Sequence, residues 1–136
     1  MGVTITGTYL GEKRVELTHG PTGSQIITDA PLDNNGRAST FSPTDLLAGS
    51  LGACMLTIAA IYAENAGIPL TNMSFSVEKI MTSAPRAVGE LIIKIRMPKN
   101  LSAEQRTKLE RAAMACPVHK SLSTAINFNC SFSYDL

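Results

Sequence analysis

No stretch of this sequence gathers Lys and Arg with interleaved aromatics, and 12 basic residues against 11 acidic ones leave a net charge of only +1. Such a chain has no long-range field to draw in nucleic acid or an anionic membrane surface, so neither is expected as a partner. Low-complexity runs are missing too. With 44% hydrophobic and 17% charged residues, the composition is that of a folded globular protein. Met1 to Tyr9 lacks the basic start and the apolar run of a secretion signal, so a cytoplasmic location is the expectation. There are only 3 cysteines. An odd number in a reducing compartment argues against a disulfide framework, and each thiol needs its own explanation. At 136 residues the chain fits one domain, 1–136.

What is present alternates between two periodicities. Val3 to Tyr9 alternates Thr with Val, Ile and Tyr and predicts a half-buried strand. Lys13 to Thr18 and Ser24 to Asp29 predict two more, joined across Gly20-Pro21-Thr22-Gly23. Pro31 to Phe41, with Asp33-Asn34-Asn35-Gly36, predicts a flexible polar loop that leaves Arg37 free to point either way. A helix then begins, with Ser42 as cap, Pro43 at its first position and Asp45 beside the orphan amides, and Gly67 ends it. Leu46 to Ala63 holds no charge and is apolar on nearly every face, which admits a membrane span or a buried helix. Burial is the better reading, because Gly49, Ser50, Gly52 and Thr57 dilute the run and no basic loop flanks it. Gly49 and Gly52 are small enough to let another backbone pack closely.

The second half continues in blocks. Met73, Phe75 and Val77, then Leu91, Ile93, Ile95 and Met97, predict two strands around a turn near Ser83 to Gly89. Ser102 and Gln105 make a capping box for a helix whose apolar face carries Leu109, Ala112, Ala113 and Cys116. Pro117 halts it and opens another, expected to reach about Ala125 with Cys116 as its cap. Ile126 to Tyr134 alternates apolar with polar residues as a last strand, and the block order gives an α+β fold.

Among the thiols, Cys130 shares the apolar face of that last strand with aromatics and reads as packing. Cys116 sits where the field of a helix mouth would favour a thiolate, with His119 and Lys120 in the same turn. Cys54 lies twelve residues beyond Ser42, too deep for its own helix's N-terminal field to reach. Desolvation would raise its pKa, so a reactive Cys54 needs a cation from elsewhere in the fold.

Three segments, Phe41-Ser42-Pro43-Thr44-Asp45-Leu46-Leu47, Gly49-Ser50-Leu51-Gly52-Ala53-Cys54-Met55 and Cys116-Pro117-Val118-His119-Lys120-Ser121-Leu122, occur in the order and spacing of a known family. In them the sequence resembles osmotically induced protein C and the organic hydroperoxide resistance proteins, the OsmC/Ohr superfamily. The resemblance implies antiparallel sheets wrapped around long buried central helices in an intertwined homodimer. It implies a peroxidase, active in oxidative or osmotic stress defence, whose first cysteine becomes a sulfenic acid and whose second condenses with it to a disulfide. These would be Cys54 and Cys116. An external dithiol or lipoyl-type reductant would reopen the disulfide, an organic hydroperoxide would be the substrate, and no metal or other cofactor is required.

The family also places an arginine at the thiolate and a carboxylate to orient it, between the two chains of the dimer. The arginine here is Arg37 or, alternatively, Arg14. The family's Glu after the Pro is Thr44, so Asp45 is the candidate in its place. Asp45 precedes Cys54 by nine residues, about 13 Å along and on the opposite face of the helix, so it would serve the partner chain's Cys54. Two other readings stand beside this one. Metal binding by Cys54, Cys116, His119 and Cys130 has close spacing only at Cys116 and His119. A dimeric carrier with an apolar pocket would leave Cys54 slow towards peroxide and alkylating reagents.

Overall fold

The computed structural model describes residues 1–70 and 72–136. The chain divides into two compact units, Met1–Leu47 and Ala48–Leu136. The first contains three strands, β1 (Ile5–Gly11), β2 (Arg14–His19) and β3 (Gln25–Thr28), in one antiparallel sheet of that order. The β1–β2 connection runs through Glu12 (φ 55°) and Lys13 (φ 63°), the left-handed pair whose twist matches two antiparallel strands. Gly23 (φ 76°) turns β2 into β3 inside the expected Gly20–Gly23 segment. This sheet has almost no core of its own. Ile5, Tyr9 and Ile26 are 62%, 66% and 52% exposed.

Residues 30–41 differ from the flexible loop expected. A 3-10 turn at Leu32–Asn34 is followed by left-handed Asn35 and Ala38, and Ala38 N donates back to Ala30 O at 3.1 Å. Gly36 passes so close that a Cβ there would sit 1.8 Å from Ala30 O. The buried Asp29 carboxylate fastens the far end by accepting from Ser39 N at 3.0 Å and from Ser39 Oγ. A polar segment is ordered here because a buried acceptor supplies partners for its amides.

Helix α1 (Pro43–Ala66) begins as its sequence predicts. Asp45 N donates to Ser42 Oγ at 3.1 Å, and Ser42 N donates to Asp45 Oδ2 at 2.9 Å, a reciprocal cap that satisfies two end amides. Gly67 (φ 69°) closes it, with Ile68 N bonded to Ala63 O at 2.8 Å. The helix is long and apolar enough to cross a membrane by length and composition, and 33% of its most apolar window is buried within the chain. Ala48, Leu51, Gly52, Met55, Ala59 and Ala63 form the buried stripe, whereas Ala53, Thr57 and Ile61 are exposed.

In the second unit, β4 (Ser74–Ser83) and β5 (Arg86–Met97) form an antiparallel hairpin through Ala84-Pro85. The last strand, β6 (Asn127–Tyr134), runs parallel to β5 from Glu90↔Asn127 to Met97↔Tyr134. This corrects the expectation of antiparallel sheets throughout. Alternation of apolar residues reports which face a strand buries and carries no direction, and the helical crossover between β5 and β6 brings the chain back the same way. That crossover contains α2 (Ala103–Met114), with the Ser102/Gln105 capping box in place, and α3 (Pro117–Ser121). The latter is shorter than expected: Leu122 already has extended backbone, and Ile126 N bonds Ser123 O, so the chain turns where a helix to Ala125 was predicted.

Leu91, Ile93, Ile95 and Met97 of β5 are fully buried, as are Leu51 and Met55 of α1 and Leu109 and Ala113 of α2. Tyr134 Oη donates to the Glu110 carboxylate, and the Arg106 guanidinium lies 4.2 Å above the Tyr134 ring, so two side chains of α2 hold the end of β6. Gly52 has a different job from the one its small size suggested. A Cβ there would meet the Phe75 ring at 2.2 Å, so the bare backbone admits this chain's own β4 and no second helix at that point. Gly49, by contrast, has nothing within 4 Å of its Cβ position among the described residues. Gly52→Ala is therefore expected to displace Phe75 and lower stability by about 1–3 kcal/mol. Gly49→Ala should cost the isolated fold nothing, and thermal unfolding of both variants checks the contrast.

Candidate active site

Two of the three thiols meet in the second unit. Cys54 lies three positions beyond Leu51, at the edge of the buried stripe of α1, and is half-buried. Cys116 occupies the junction of α2 and α3. Pro117 has no amide to continue the first helix, which leaves Cys116 extended (φ −60°, ψ 129°) and free to cap the second. Its Sγ accepts from His119 N at 3.5 Å, its exposure is 0%, and Cys54 lies near enough to perturb its ionisation. No disulfide joins them.

The electrostatics of Cys116 reverse the sequence-based expectation. Burial pushes its pKa up, the nearby Cys54 side chain adds to this, and the amides of His119 and Val118 pull the other way without prevailing. A helix of one turn has too small a field to offset complete desolvation. Cys116 is thus a thiol that burial makes harder to ionise. Cys130, opposite Ile93 in β6, has its thiol pushed up to about 11 by burial and, less, by the Glu110 carboxylate. That suits an inert packing residue. His119 stacks on Phe128 with ring centroids 4.3 Å apart, beside a groove of about 310 Å³ shared with Lys120, Leu122 and Ile126. Among the described residues, no three His, Cys, Asp or Glu side chains are grouped so as to hold a metal ion.

The charged candidates lie in the first unit. Arg37 pairs with Glu12 at 2.8 Å, and the two side chains are 68% and 58% exposed, so this is a surface ion pair. Arg14, the first residue of β2, is different: its Nε is buried and finds no acceptor among the described residues. Asp45 spends one carboxylate oxygen on the cap of α1. The residue that sequence reasoning missed is Asp29. Its one signal was a carboxylate at the end of the apolar Ile26-Ile27 pair, and nothing in that pattern says it would be buried.

The family model for OsmC-like protein matches residues 36–131, which crosses the boundary between the two units and includes both Cys54 and Cys116. The chain belongs to the OsmC-like family. Among solved structures, it is 38% identical, over 98% of each chain and with a TM-score of 0.91, to a Psychrobacter arcticus 273-4 protein provisionally described as an osmotic stress induced and detoxification response protein. An OsmC-like protein from Mycoplasma pneumoniae shares 18% identity at a TM-score of 0.84, over 98% of this chain and 97% of the other. An organic hydroperoxide resistance protein from Legionella pneumophila shares 16% at 0.75, with the same coverage. At those identities the last two show the OsmC-like fold alone. No curated protein matches the chain. The OsmC-like match begins at Gly36, so it takes in Arg37 and Asp45 and leaves out Arg14.

Proposed function

We propose that this OsmC-like protein is a cytoplasmic thiol peroxidase that reduces organic hydroperoxides with Cys54 and resolves the product with Cys116. The observation that carries this reading is that a half-buried and a fully buried thiol, from residues far apart in sequence, come near enough inside one unit of the fold for Cys54 to raise the pKa of Cys116. The Cys54 thiolate attacks the outer peroxide oxygen. The O–O bond breaks, an alcohol leaves with a proton, and Cys54 becomes a sulfenic acid. Cys116 then attacks that sulfur, its proton leaves with the displaced hydroxyl as water, and a disulfide forms before deeper oxidation can follow. A dithiol, of lipoyl or similar type, reduces the disulfide and is itself oxidised to one.

The cation proposed to face Cys54, from the second chain, is Arg14, in preference to Arg37. Arg37 already has an exposed partner, whereas a buried guanidinium nitrogen without an acceptor favours an arriving anion. Two chains build the site. The exposed apolar residues of the first sheet and the uncovered side of α1 are surfaces that a second copy would bury, and the gain from burying them favours a dimer.

The test is chemical. With a dithiol present the protein should consume cumene hydroperoxide faster than hydrogen peroxide, because an apolar surround favours a hydrocarbon tail. Without a reductant, mass mapping should find a Cys54–Cys116 disulfide within one chain. A wild type that stays reduced in excess cumene hydroperoxide would remove the reading.

A further inference from the structure

We propose that Asp29 is the carboxylate that positions Arg14, the role for which the sequence had offered Asp45. This rests on the reading of Arg14 as the cation at Cys54. The register of the first sheet provides the placement. Val15 pairs with Thr28 as the last pair of the β2–β3 ladder, and Arg14 and Asp29 are the next residues of the two segments beyond it. Asp29 is 1% exposed, an extreme position for a carboxylate.

Counting lone pairs shows what Asp29 can still do. Its Oδ2 accepts from Ser39 N at 3.0 Å and from Ser39 Oγ, while its Oδ1 accepts, among the described residues, from Ala30 N at 2.8 Å. Each carboxylate oxygen takes about two donors, so Oδ1 has one place left. Arg14 Nε is the donor in need of one. The Ser39 bonds chiefly hold the Asp29 carboxyl below the usual carboxylate range, and the Arg14 charge lowers it further. Ser39 also borders the groove that Arg14 lines, which joins the 30–41 segment to the same cluster. Among the described carboxylates, Asp45 bonds the cap of α1, Glu12 pairs with Arg37 and Glu16 accepts from Gln25. An arginine steered by the charge of Asp29 would lose less freedom when it meets the thiolate, which is the purpose of a positioning residue.

The experiment follows the alkylation of Cys54 by iodoacetamide at neutral pH, in a Cys116→Ser, Cys130→Ser background where Cys54 is the remaining thiol. Asp29→Asn should slow alkylation about tenfold, as expected when a charge-assisted contact is misplaced. The same change made on top of Arg14→Ala should slow it no further, because there is no arginine left to position. An equal loss from Asp29→Asn with and without Arg14 would reveal a purely structural residue and overturn the proposal, as would no loss at all. If Asp29→Asn does not fold, the carbon-13 titration of the Asp29 carboxyl in full-length Arg14→Ala decides instead. Its midpoint should move up relative to wild type, and an unmoved midpoint would overturn the proposal. Hydroperoxide turnover is measured on the wild type in parallel. A protein that shows the Asp29–Arg14 coupling but consumes no hydroperoxide would fail the peroxidase reading and leave this one standing.

Discussion

Cys54→Ser is expected to reduce hydroperoxide turnover by at least about 10³-fold, because the hydroxyl that replaces the thiol is not ionised near neutral pH and cannot attack a peroxide oxygen. Cys116→Ser separates the two halves of the cycle. It should consume about one equivalent of hydroperoxide per chain and stop, since the sulfenic acid has no thiol to condense with and moves on to the sulfinic state. Cys130→Ser should turn over as wild type does. The raised pKa of Cys130 keeps it protonated at neutral pH, and its change leaves the Cys54–Cys116 pair untouched. Stopped assays with cumene hydroperoxide and a dithiol, followed by intact-mass measurement, read all three variants. A normal cycle in Cys116→Ser together with a dead Cys130→Ser would reassign the resolving thiol.

The second large effect is a recovery of activity. Arg14→Ala should lose about 10²-fold or more in turnover, the usual cost of removing a donor that stabilises an anion in a closed site. Arg37→Ala, in contrast, breaks an exposed ion pair worth about 0–1 kcal/mol and should stay near wild type. Co-refolding Cys54→Ser chains with Arg14→Ala chains then asks whether the site is shared. In a mixed dimer with composite sites, one site regains an intact Cys54 facing an intact Arg14, and about half of the activity of a wild-type dimer should return. With sites built inside single chains each site lacks one residue, and nothing is recovered. Mass spectrometry that finds mixed dimers in an inactive sample would therefore reject the shared site. An active Arg14→Ala homodimer would reject Arg14 itself.

Local chemistry accounts for how much of this molecule could be read from the chain alone. The Ser42–Asp45 and Ser102–Gln105 caps, the stop at Gly67 and the cap at Cys116 each depend on residues within a few positions of one another, and all four are present. The alternating residues of β5 and β6 are buried or half-buried on the predicted faces. Where the expectations failed, the missing information was non-local. Strand direction in β6 depends on how the crossover packs, the space at Gly52 is filled by a ring from another element, and the end of α3 is set by the turn that leads into β6.

The candidate site divides in the same way. The sequence by itself determined which thiols deserved attention, the cap at Cys116 and the family-like spacing around Cys54, because helix starts and motifs are written in consecutive residues. Only the tertiary structure decided that burial raises the pKa of Cys116, that Arg37 is tied to Glu12 at the surface, and that Arg14 and Asp29 both adjoin the Val15–Thr28 pair. Desolvation, ion pairing and register are relations between residues distant in the chain. Their energies depend on distance and dielectric, which exist only once the chain has folded.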